Sequence, residues 1–302
     1  MATGTATAEA IETERPRRRR AGRWRVTGGL LSAPLVWLIV FFLVPVLLIG
    51  LYSVGALTLL RNDYYLSMEP WRFFLSSDTY LGLFWKSVRM SLGVSITSVL
   101  LAYPVAYLLA LIAGTRKYTL LLVIIVPFLT SYLLRVLAWR VILGESGVAN
   151  SFLQTTGLVD EPVTWLFNSQ FAVYLVLSYV WVPFVALPIF VSLESLDGHL
   201  LEASSDLGAS RMRTFWTVTL PLSLPGVVAG FIFVFIPTLG EYVTPQLVGG
   251  PGGFMFGSAI QSAFTAGLDW QFGSAMAMFL VFAVAVLLIL FGRFLNVRSV
   301  AE

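Results

Sequence analysis

"EASSDLGASRMRTFWTVTLP", residues Glu202–Pro221, is a basic, amphipathic stretch set between two long apolar segments near 169–193 and 221–247. Asp197 is placed to cap a short helix through Asp206, since its carboxylate can accept the free amides of a first turn. Gly208 supplies the left-handed residue that stops such a helix. A second short helix then leads to Pro221, at the mouth of the next apolar segment. A helix–turn–helix held at a membrane surface suits docking into the groove of a soluble partner.

Working outward, the chain is strongly apolar. Of its 302 residues 58% are hydrophobic and only 12% charged, with mean hydropathy +0.85. A soluble domain carries about a quarter charged residues, so most of this surface faces lipid. A spanning helix needs about 20 apolar residues. Six segments approach that length, near 30–52, 86–113, 119–143, 169–193, 221–247 and 272–296. The alternation of a lipid-spanning barrel is missing, and lipid permits no other strand arrangement. The expected fold is all-α, with about six transmembrane helices spanning 30–296, a disordered basic tail over 1–29 and a short tail over 297–302.

No cysteine is present and only one histidine, His199. A thiol nucleophile is thereby excluded, and a protein-only zinc or copper site is not expected. The uncharged run from Val26 to Leu60 is far longer than the apolar core of a signal peptide. The basic block Arg15–Arg25 reads as a topology signal; nothing else in the chain supports a nucleic-acid partner. With the N-terminus inside, the inner segments hold Arg15, Arg17, Arg18, Arg19, Arg20, Arg23, Arg25, Arg116, Lys117, Arg211, Arg213, Arg293 and Arg298. The outer loops hold only Arg61 and Arg72. This bias predicts that both termini and the Glu202–Pro221 loop are cytoplasmic.

With Glu202, Ala203 and Gly208 at fixed offsets before Leu220 and Pro221, the loop resembles the EAA loop of binding-protein-dependent ABC importer permeases. Ser204 and Val218 depart from its pattern by small, similar-sized replacements. "IIVPFLTSYLLRVLAWRVIL" (Ile124–Leu143) and "PTLGEYVTPQLVGGP" (Pro237–Pro251) are similar to the spermidine/putrescine branch of that family. The resemblance implies a bacterial inner-membrane permease of type I fold, without a catalytic site. It implies a second homologous permease, two cytoplasmic ATPase subunits that hold ATP and Mg, and a soluble substrate-binding protein outside. The loop over 194–220 would be the coupling element, with Glu202, Ala203, Ser204, Gly208, Arg211, Leu220 and Pro221 in it. The substrate it implies is a polyamine, with another small solute as the alternative. An ion-coupled secondary transporter would show inverted repeats, and none is evident.

Charges within spans are functional candidates, since each costs roughly 2.5–3.5 kcal/mol at a helix centre on insertion scales. Arg135 and Arg140 fall in the third segment and Glu241 in the fifth. Counting rise per residue from the outer ends puts Glu241 and Arg135 at similar depth, so an ion pair between Glu241 and Arg135 or Arg140 is expected. A polycation route needs carboxylates and aromatic faces; Glu241 and Tyr242 would line it, with Glu145 and Asp269 nearer the outer mouth. Gly249–Gly257 reads as a flexible outer turn or a binding-protein contact. The recurring prolines leave open whether the spans are merely irregular or built to rock.

Overall fold

The computed structural model describes residues 19–57 and 66–299. Its helices are α1 (Arg19–Ser53), α2 (Glu69–Ser76), α3 (Asp78–Tyr107), α4 (Lys117–Ile125), α5 (Tyr132–Leu143) and α6 (Val148–Thr155). They continue as α7 (Gln170–Glu194), α8 (Gly198–Asp206), α9 (Arg211–Thr214), α10 (Leu220–Leu239), α11 (Phe256–Thr265) and α12 (Trp270–Ser299). The chain divides into two compact units, Met1–Leu51 and Tyr52–Glu302. Helix α1 begins at Arg19, so 19–29 is helical where the sequence suggested a disordered tail; residues 1–18, Arg61, Asp63 and 300–302 lie outside the described residues.

Among the described residues five stretches are long and apolar enough to cross a membrane alone: Pro34–Ser53, Asp78–Ile112, Gln170–Glu194, Arg211–Leu239 and Trp270–Gly292. A sixth crossing exists only as a bent pair, Gly114–Leu129 with Tyr132–Thr155, at 81°. The expected continuous third helix over 119–143 is therefore corrected to two pieces. Pro127 lies in a 3-10 turn, Val126–Leu129, and Thr130 and Ser131 are extended before α5 starts. The expected fifth helix also ends early, at Leu239, with Gly240 as its C-cap. Pro183 and Pro188 instead sit inside an unbroken α7. Of the recurring prolines in these segments, Pro127 and Pro237 are the ones next to breaks.

The core is α3, α7 and α10 packed on one another. Lipid gives apolar side chains little reason to prefer each other, so close backbone approach must hold such helices together. Gly226 and Gly230, four apart on α10, provide it: a Cβ at Gly226 would come within 2.5 Å of Pro188 O and Ser192 Cβ. On α3 the small residues Ser87, Ser91, Ser95 and Ser98 are all buried. A second cluster joins α2, α3, α11 and α12 through Phe74, Phe84, Phe256, Phe272 and Phe279, with edge-on rings such as Phe84–Phe279 at 5.0 Å.

The glycine run includes a turn at 250–253, exposed at Pro251 and Gly252, among tightly packed glycines. Gly249, Gly253 and Gly257 are buried, and a Cβ at Gly253 would meet the backbone of Gly249, one at Gly257 that of Gly240. Lys86 Nζ donates to Gly252 O at 2.7 Å and Phe254 O at 2.9 Å, tying the run to α3. At Gly249, Gly253 and Gly257 the absence of a side chain permits this close contact. Gly257→Ala should lower the thermal midpoint of the complex in detergent, since overpacking typically costs about 1–3 kcal/mol. Gly252→Ala, whose Cβ would meet only Gln170 N at 4.0 Å, should leave it unchanged; equal midpoints would contradict this packing.

Candidate functional site

Two constellations stand out, one at each kind of break in the bundle. The first follows α7. Only Ser195 and Leu196 separate Glu194 from Asp197, whose side chain accepts the His199 amide at 3.0 Å and so caps α8. At the other end Gly208 has φ +77. Ala209 N donates to Ser204 O at 3.1 Å and Gly208 N to Ser205 O at 2.9 Å, the paired bonds of a Schellman stop. Ser204 Oγ and Thr214 Oγ1 share a 2.9 Å hydrogen bond, so the serine in place of the family alanine ties α8 to α9.

Helix α9 is not the separate surface helix expected. It runs through a π turn, Phe215–Thr219, into α10 as one continuous span from Arg211. Pro221 lacks an amide donor, and the wider turn precedes it. Leu220 opens α10. Within the loop Glu202, Ala203, Gly208 and Arg211 are all exposed, and Leu207 is 88% exposed. The arrangement is a short helix locked at both ends, presenting an uncovered face that mixes acid and apolar groups.

The second constellation brings together the break inside the bent crossing and the break that follows the end of α10. Tyr132, first residue of α5, shares a 2.5 Å hydrogen bond with Thr244 Oγ1, just past the end of α10. Glu241 Oε1 accepts from Val243 N at 2.9 Å and Thr244 N at 3.1 Å. The expected ion pair is therefore not formed: neither Arg135 nor Arg140 reaches Glu241 within 4.0 Å. The depth argument assumed an unbroken helix to residue 247; the break instead frees local amides, and they take the carboxylate.

Arg135 has Nε and Nη1 buried without a hydrogen-bond partner among the described residues. Its guanidinium carbon lies 5.2 Å from the centre of the Phe128 ring, a cation–π contact worth about 0.5–2 kcal/mol. Phe128 stands 5.3 Å from Tyr179, which stands 5.3 Å from Trp139. Arg140 is exposed, 6.0 Å from the Phe167 ring. Tyr242 is 42% exposed beside Glu241.

The remaining candidates separate from this group. Asp269 Oδ1 accepts the Phe272 amide at 2.9 Å and caps α12. Glu145 lies in the exposed turn after α5. Tyr132, Thr244 and the Lys86 tie were missed from sequence. The run "PFLTSY" (Pro127–Tyr132), a proline followed by two hydroxyl residues, was the signal for the first. Among the described residues no group of three His, Cys, Asp or Glu could hold a metal.

This fold, a bent-helix bundle with one short locked helix after its fourth crossing, is that of a transport permease. Residues 81–299 match the family described as the binding-protein-dependent transport system inner membrane component, and the chain belongs to that family of ABC importer permeases. It is 34% identical over 260 residues to the spermidine/putrescine transport system permease protein PotB of Haemophilus influenzae, covering 85% of this chain and 90% of that one. It is 35% identical over 262 residues to the inner membrane ABC transporter permease protein YdcU of Escherichia coli, covering 78% and 83%. A bacterial alginate ABC transporter, crystallised with a pentasaccharide-bound periplasmic protein, contains a chain of the same fold with TM-score 0.69 at 16% identity, covering 90% of this chain and 94% of that one. The chain is thus a multi-pass inner-membrane subunit without its own catalytic site or cofactor.

Gly208→Ala isolates the left-handed stop, because an added Cβ would meet nothing within 4 Å. The conformation costs an ordinary residue roughly 1–2 kcal/mol. Amides of α8 should then exchange with solvent about tenfold faster, while those of α7 keep their rates. Unchanged exchange in α8 would show that the stop is not set by this residue.

Proposed function

We propose that this chain forms half of a polyamine import pathway and receives a cytoplasmic ATPase on α8. The observation that carries the reading is α8 itself: a helix of nine residues, capped by Asp197, stopped at Gly208 and left with Glu202 and Leu207 uncovered. Rigid ends matter because a docked helix transmits displacement only if it does not unwind under load. In this reading both termini and α8 lie on the cytoplasmic side, in keeping with the distribution of Lys and Arg. A second permease completes the pathway, a soluble binding protein delivers the solute, and ATP and Mg belong to the two ATPase subunits.

ATP-driven closure of the ATPases draws the two coupling helices together, and the bundle opens outward; hydrolysis reverses this. The chain contributes no chemical step. Its residues guide a solute past the paired breaks, where Glu241 and Tyr242 supply a carboxylate and an aromatic face for ammonium groups. Identity to the PotB proteins supports polyamines as the cargo. A second reading, the same importer with another small solute, draws on Arg135, whose guanidinium has no carboxylate beside it and would repel a polycation.

Uptake of labelled spermidine by cells lacking their own polyamine importers, expressing this chain with its partner subunits, tests both points. ATP-dependent uptake is expected. Glu202→Ala should reduce it and weaken ATPase co-purification at least about tenfold, since losing a central interface contact typically costs about 2 kcal/mol or more. Membrane insertion should be unchanged. Absent spermidine uptake with the ATPase still bound would favour the other solute class, and full ATPase binding by Glu202→Ala would remove α8 as the docking helix.

A further inference from the structure

Glu194, the last residue of α7, accepts two hydrogen bonds on one oxygen. Lys117 Nζ lies 2.7 Å from its Oε1, and Tyr118 Oη donates to the same atom at 2.5 Å. Both donors open α4, the first half of the bent crossing. The Tyr118 ring also stands edge-on to Phe190, one turn back on α7, at 6.3 Å. Only about a quarter of the Lys117 and Glu194 side chains is exposed, so the tie is partly shielded from water.

Helix α4 has little else to hold it. None of its residues is fully buried, and its contribution to the core is the partly buried Leu121 and Ile124. Following the chain from this tie in one direction, two residues lead to the Asp197 cap of α8. The three Cα steps from Glu194 to Asp197 span at most about 11 Å, a short link with little slack to absorb a displacement of the helix. In the other direction α4 leads through the 3-10 turn at Pro127 to Thr130, Ser131 and Tyr132, which is bonded to Thr244 past α10.

We propose that Lys117, Tyr118 and Glu194 are positioning residues that make the first half of the broken crossing move with α8. The tie carries displacement of the coupling helix to the break beside Glu241, without touching the solute. The proposal rests on the reading of α8 as the ATPase-docking helix. A merely structural tie would hold α4 in the resting state and would have no effect on whether α4 follows α8 through the ATP cycle.

The chain contains no cysteine, so spin labels can be placed on Leu129→Cys and on Gly198→Cys at the start of α8, both exposed and the latter with open space around an added side chain, in the full complex. With the tie intact, one distance between them is expected in both the nucleotide-free and the vanadate-trapped complex. Glu194→Gln should split or broaden that distance on trapping, Tyr118→Phe should do so more weakly, and the swap Lys117→Glu with Glu194→Lys should restore it. Tyr118→Phe removes a single hydroxyl and keeps the test usable where the other variants assemble poorly. A distance that changes with the tie intact, one unaffected by Glu194→Gln, or no restoration by the swap would overturn the proposal. Loss of ATPase co-purification in Glu194→Gln would assign the residue to docking and overturn it as well. Full co-purification in Glu202→Ala would instead strike at α8 as the docking helix, a separate outcome.

Discussion

Lipid offers no hydrogen bond, so every backbone amide and carbonyl within a crossing must find its partner inside the protein. The interior of a continuous helix meets that requirement automatically; a break, like a helix end, does not. Among the described residues two breaks, one inside the bent crossing at Thr130–Ser131 and one past the end of α10 after Leu239, are brought together by the Tyr132–Thr244 hydrogen bond. Glu241 turns the second break into a capped turn by accepting two amides. A carboxylate that satisfies freed backbone in this way is stable without a cation beside it, and neither Arg135 nor Arg140 pairs with it.

Around the breaks the bundle has a firm part and a loosely held part. Helices α3, α7 and α10 are locked by Gly226, Gly230 and the serines of α3, where atoms approach too closely to slide. Helices α4 and α5 pack fewer residues inward and end in extended backbone at Thr130 and Ser131. Motion in such a molecule falls on the joints, because packed cores shift as units. The polar ties at Lys117–Glu194 and Tyr132–Thr244 therefore sit where a small rearrangement can be transmitted.

Much of this was legible in sequence where the governing interaction is local. Asp197 and Gly208 specify a cap and a stop, and the structure has both at those positions, while the loop is shorter than the spacing to Pro221 suggests because α9 runs on into α10. The fourth crossing, expected over 169–193, lies at Gln170–Glu194. Hydropathy could not place the breaks, since an apolar run reads the same whether straight or bent by 81°. Pro127 breaks its helix while Pro183 and Pro188 do not. The close packing of Gly249, Gly253 and Gly257 was not legible, because composition alone does not reveal contact. The partners of Glu241 depended on a break that depth counting had to ignore.

The central claim is that the paired breaks border a water-accessible route. Labelling a cysteine placed at Thr130, which is exposed at the first break, with a charged, membrane-impermeant thiol reagent in the assembled importer tests it most directly. The control is Leu101→Cys on α3, 53% exposed on an apolar stretch. The account predicts rapid labelling at 130 and none at 101. Equal protection of both positions would mean that the break is sealed in lipid or protein and that the route lies elsewhere.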